Sequence, residues 1–224
     1  MKQRVILCEG PDDLDFLAGY FETRRTLKAK AADPWGRRLP THHYTYTTST
    51  GAFVKAYHCG GTRAQFRKMV DLLVQEHQTH PLESLTIVLD DDGESAEMEV
   101  ARAIVSGLQA GFGAQLLGVD WHRVVLGSGD AATPGLPTKQ TLERLVCAAM
   151  ARVDPGRPPS VDAFLQSAPR GLASHKNIAM AFAAKWTDCS RRDFYKGIWA
   201  DASLAAQLET QLGEGLAVLQ TLAS

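Results

Sequence analysis

The sequence predicts an α/β protein: an open, mainly parallel sheet with helices on both faces, followed by a helical C-terminal region. Two observations carry this expectation. Short β-branched or apolar runs alternate with stretches of helical periodicity over residues 1–130, as in strand–helix–strand units. The run Leu85-Thr86-Ile87-Val88-Leu89 is almost continuously apolar, as expected of a strand covered on both faces. A third observation sets the end of the sheet: after Pro155–Pro159 only helical spacing remains.

Taken in order, residues 4–8 form the first strand, stopped by Glu9-Gly10-Pro11. Pro11 suits a first helical turn, and Leu14, Phe16, Leu17, Tyr20 and Phe21 recur at helical spacing. Residues 31–40, with Pro34, Gly36 and Pro40, read as a loop. His43–Thr48 and Phe53–Cys59 read as strands, and the role of the whole insert over 31–60, sheet or substrate flap, stays open. Gly60-Gly61 turns the chain into a helix bearing Phe66, Met69, Val70, Leu72 and Leu73, with Thr62 as its expected cap.

The apolar strand 85–89 ends in Asp90-Asp91-Asp92-Gly93-Glu94, before a helix carrying Met98, Ala101, Ile104, Val105 and Leu108. His122–Leu126 is the next strand, closing into Gly127-Ser128-Gly129. Helices are expected over Gln140–Arg152, Val161–Gln166, Leu172–Trp186, Arg191–Trp199 and Leu204–Leu222. Trp186, Tyr195 and Trp199 read as core. The expected organisation is an α/β domain over 1–154 and a helical appendage over 155–224, with a soft boundary near 155.

Composition is that of an ordinary globular chain: 224 residues, 45% hydrophobic and 22% charged. A formal net charge of −1 does not advertise a polyanion partner. Cys8, Cys59, Cys147 and Cys189 show no C-x-x-C spacing and read as free thiols of a reducing, cytoplasmic compartment. The N-terminus opens on a strand rather than a leader pattern, and no run reaches the ~18 apolar residues of a membrane span. His42-His43 and His77-x-x-His80 lack partners for a zinc set and read as surface or loop residues.

The chemistry-bearing residues stand at strand ends. In open α/β sheets ligands bind at the carboxyl ends of strands, and Glu9 and the Asp90–Asp92–Glu94 group follow two of them. If those strands are neighbours, the carboxylates converge, and a hard divalent cation is their natural counter-charge. Taken singly, each group also reads as a solvated acidic turn at a helix N-terminus, and this alternative is strongest for Asp12 and Asp13. Further on, Glu143 and Lys176 are candidates to contribute to the site. The plain alternatives are an exposed helix face for Glu143 and solvated lysines for Lys176 and Lys185.

Glu9-Gly10-Pro11-Asp12-Asp13 after a first strand, with Asp90-x-Asp92-x-Glu94 about eighty residues on, resembles the Toprim domain shared by topoisomerases, primases, OLD-family nucleases and ribosomal-RNA maturases. The resemblance covers roughly residues 1–130. It implies Glu9 as general acid/base and a site holding one or two Mg²⁺ or Mn²⁺ ions on Asp90 and Asp92, with Glu9 and Glu94 completing the set. Asp13 falls at a position often acidic in the nuclease branch, whereas Pro11 stands where maturase-like members carry lysine. The implied activity is metal-dependent hydrolysis of DNA or RNA. The alternative is a non-catalytic regulatory or nucleic-acid-binding Toprim module acting with a partner ATPase.

Overall fold

The computed structural model describes residues 3–30, 43–131, 133–167, 174–183 and 191–224. The loop expected over 31–40, the first part of the 31–60 insert, His42, Lys185, Trp186 and Cys189 lie outside them.

The elements are β1 (Gln3–Cys8), α1 (Pro11–Gly19), β2 (Ala29–Lys30), β3 (His43–Thr47), β4 (Phe53–His58), α2 (Arg63–His77), β5 (Leu82–Asp90), α3 (Glu99–Phe112) and β6 (Asp120–Leu126), then α4 (Leu142–Val153), α5 (Arg157–Ser167), α6 (His175–Ala183), α7 (Arg191–Gly197), α8 (Ala202–Leu212) and α9 (Glu214–Leu222). One sheet runs in the order β2-β3-β4-β1-β5-β6. β4, β1, β5 and β6 are mutually parallel, and β3 and β2 extend the edge antiparallel. The part of the 31–60 insert that is described therefore builds sheet, and β4 becomes the direct neighbour of β1.

Side chains alternate across β1, as the strand pleat requires. Val5 and Leu7 pack with β4, β5, α2 and α3 on one face; Ile6 and Cys8 pack with α1, α4 and the later helices on the other. The helices after residue 155 share this second core with α1 and α4. Trp199 shows how closely they join. Its ring lies 4.9 Å from that of Phe16, and its Nε1 donates to the Phe16 carbonyl at 2.8 Å. Gly19 permits the approach, since a Cβ there would stand 2.3 Å from the Lys196 carbonyl oxygen. Near the start of β1, Arg4 donates to the carbonyls of Thr221 and Leu222 and so ties the end of α9 to that strand.

Several local expectations change. Residues 204–222 form two helices, because Gly213 takes φ +52° and breaks the run. α5 begins at Arg157, with Pro158 and Pro159 in its first turn, where their missing N–H groups cost nothing. Thr62 precedes α2 but its side chain makes no capping hydrogen bond. Tyr195 and Trp199 are buried, as their spacing predicts. Cys8, Cys59 and Cys147 are buried free thiols, and burial pushes each upward in pKa. Among the described residues no helix is long and apolar enough to cross a membrane.

Candidate functional site

β1 and β5 are neighbours, and the Glu9 amide donates to the Val88 carbonyl at 3.1 Å. The chain leaves β1 for α1 on one face of the sheet and leaves β5 for α3 on the other. Their carboxyl ends therefore flank a crevice, the place where such sheets bind ligands. Glu9 and Asp90 stand on its two sides.

Two helix N-termini point into the same place. In α1, Asp13 reaches back so that its Oδ2 accepts from the Gly10 amide at 2.8 Å. In α4, the Leu142 amide donates to Asp90 Oδ1 at 2.9 Å, and Thr141 caps the same turn. Both helices present the positive end of their dipole to the acids. Glu143, in the first turn of α4, is 5% exposed, so it does not lie on the exposed helix face its sequence position allowed. The reason is that α4 is buried all round from Leu142 to Met150, which leaves it without a solvent face in that turn.

The electrostatics show which acids meet. Burial, then the charges of Asp13, Glu143 and Glu9, push Asp90 well above the ordinary carboxylate range, against the lowering effect of the Leu142 amide. Burial, with Glu9, Glu143 and Asp12 adding to it, raises Asp13 to about 7. The site is thus a group of Glu9, Asp13, Asp90 and Glu143, drawn from β1, α1, β5 and α4. Lys176 is exposed and sits at its margin, 3.5 Å from Asp12 Oδ2.

The three consecutive aspartates separate by role. Asp91 is 2% exposed and turns away from the crevice: its Oδ1 accepts from the Ala101 amide at 2.7 Å and its Oδ2 from Gly93 at 3.2 Å, which anchors the start of α3. Asp92 takes φ +58° and is exposed, as is Glu94. The acids acting on Asp90 and Asp13 come instead from β1, α1 and α4. The spacing of Glu143 gave no sign of its burial beyond an acid in the first turn of a largely apolar helix.

Searches of protein-family models and of curated proteins return no match. Among solved structures, a hypothetical protein from Pyrococcus horikoshii OT3 shares the fold along 100% of both chains, with a TM-score of 0.70 at 15% identity. The likeness extends through the helices after β6. A protein of unknown function from Mycobacterium tuberculosis covers 97% of this chain and 84% of its own at 14% identity, with a TM-score of 0.30. One from Thermoplasma acidophilum covers 98% and 89% at 14% identity, with a TM-score of 0.29. Both scores are too low to carry a structural argument.

Among the described residues, no three His, Cys, Asp or Glu side chains already stand as a ligand set for a metal ion. The donor chemistry nevertheless fits a hard divalent cation: several carboxylates of one sign meet in a partly desolvated crevice, and Asp13 and Asp90 hold their protons more tightly for it. A cation entering there would displace those protons.

Proposed function

We propose that the protein is a magnesium- or manganese-dependent phosphodiesterase acting on DNA or RNA. The observation that carries this reading is the meeting of Glu9, Asp13, Asp90 and Glu143 at the crevice between β1 and β5. Glu9 and Asp90 would hold the ion, with Glu143 beside them and Asp92 and Glu94 on the adjoining turn. A bound ion of this kind supplies positive charge to phosphoryl oxygens and lowers the pKa of a bound water.

The remaining work falls to the chain's own groups. Glu9 moves the proton. Asp13, titrating near 7, is suited to hold or release one at neutral pH. Lys176, exposed at the rim beside Asp12, offers a cation to a backbone phosphate. The similarity of the Glu9-Gly10 and Asp90-x-Asp92 spacing to the Toprim pattern supports the same assignment.

The test is cleavage by purified protein of single- and double-stranded DNA and structured RNA with Mg²⁺ or Mn²⁺. Glu9→Gln and Asp90→Asn should each lower the rate by about 100-fold or more while leaving the fold unchanged. Full activity in both variants would rule the reading out. A second reading, a non-catalytic regulatory or nucleic-acid-binding module acting with a partner ATPase, is favoured by the net charge of −1, unusual for a protein that grips nucleic acid alone. It predicts metal binding without cleavage.

A further inference from the structure

We infer that Gln140 is the positioning residue of the acidic site, fixing the turn after β5 and the loop after β6 against the first turn of α4. Gln140 is 1% exposed. Its carbonyl accepts from the amides of Asp91 at 3.0 Å and Asp92 at 3.1 Å, and its own amide donates to the Gly93 carbonyl at 2.7 Å. Its side-chain Oε1 accepts from the Ser128 amide at 2.8 Å. Ser128 is itself fully buried, and its Oγ accepts from the Asp130 amide.

This residue therefore bonds to both loops at once. Two residues further on, the Leu142 amide holds Asp90, and Glu143 follows directly. A shift of Gln140 moves Asp90 and Glu143 relative to one another. Asp91 binds amides of its own turn and of α3. Arg144 binds the carbonyls of Pro137 and Asp130 and touches neither Asp91 nor Gly93 through those bonds.

Gly127 supplies an independent sign that this contact is tightly set. A Cβ there would stand 2.6 Å from Gln140 Oε1 and 2.8 Å from Met98 Cε. A Cβ there would push the Gln140 amide and the Met98 methyl aside. Gly127→Ala thus displaces Gln140 without removing it, and provides a second route to the same defect.

Two measurements test the inference, one of which needs no ligand. Amide hydrogen exchange of Asp91, Asp92 and Leu142 should accelerate together, by about tenfold or more, in Gln140→Ala and again in Gly127→Ala. The Mn²⁺ dissociation constant should rise by about 10- to 100-fold in both, as when a residue supporting metal ligands is lost. The second measurement alone rests on the cation reading above. Trp199→Phe, which loses the bond to the Phe16 carbonyl far from the crevice, should lower the melting temperature but leave these amides and the Mn²⁺ affinity unchanged.

If Gln140→Ala accelerates only the Ser128 amide, the inference is overturned. An equal change in Trp199→Phe overturns it as well. If the unaltered protein takes up no Mn²⁺, the cation reading fails and the exchange of these amides alone decides the role of Gln140.

Discussion

Two places among the described residues bury charge in opposite ways. On the α2 side of the sheet, Lys55 of β4 is fully buried and its Nζ lies 3.1 Å from Glu76 of α2. There the two signs offset one another inside the core, and the pair serves the fold. At the carboxyl ends of β1 and β5, Glu9, Asp13, Asp90 and Glu143 bring one sign together. Like charges in a desolvated place raise each other's pKa and work against stability. The first site pairs its charges within the chain, whereas the second gathers one sign.

The largest expected effect breaks the first site. Glu76→Ala leaves Lys55 buried without this carboxylate and should cost about 3–5 kcal/mol in chemical denaturation. The double change Lys55→Met with Glu76→Leu should recover most of that loss, because both charges then vanish. A smaller loss separates Asp91 from its neighbours: Asp91→Ala removes the acceptor for the Ala101 amide and should cost about 1–2 kcal/mol.

The acidic crevice should respond with the opposite sign. Asp90→Asn keeps an oxygen for the Leu142 amide and needs neither a buried charge nor a proton taken up on folding, so without metal at pH 7.5 it should stabilise the protein. The pH dependence follows from the same cause. Asp13 is raised in the folded state from 3.8 to about 7, so the folded protein binds the extra proton. Its contribution is fully present below the unfolded carboxylate value and is lost as pH rises from about 4 to about 7. Thermal unfolding should show stability falling across that window, and Asp13→Asn should flatten the fall. The smallest effect belongs to the exposed turn. Asp92→Asn and Glu94→Gln should change stability by less than about 0.5 kcal/mol.

Much of this arrangement is legible along the chain. The apolar runs mark β1 and β5, and Gly10-Pro11 marks the start of α1, because these signals are local in sequence. Their adjacency is not local, since β5 arrives beside β1 only after β2, β3, β4 and α2 have intervened. Nor does the triplet Asp90–Asp92 reveal which carboxylate faces the crevice. Strand alternation and the left-handed backbone at Asp92 send Asp91 to the α3 amides and leave Asp90 facing α4. Glu143 lies hidden for another reason: an acid on an exposed helix face and an acid in a buried first turn have the same spacing. The break at Gly213 escapes periodicity because α8 and α9 each continue an apolar pattern.

Whether the acids of the crevice take up a cation is read by calorimetric titration of Mn²⁺ and Mg²⁺ into the unaltered protein and into Asp90→Asn. The unaltered protein should bind one or two ions at pH 7.5 with proton release, seen as a heat that depends on the buffer, since Asp13 and Asp90 give up protons they hold tightly. Asp90→Asn should bind at least tenfold more weakly while melting no lower than the unaltered protein. No uptake of either ion by the unaltered protein, or equal affinity in the two proteins, would contradict the account.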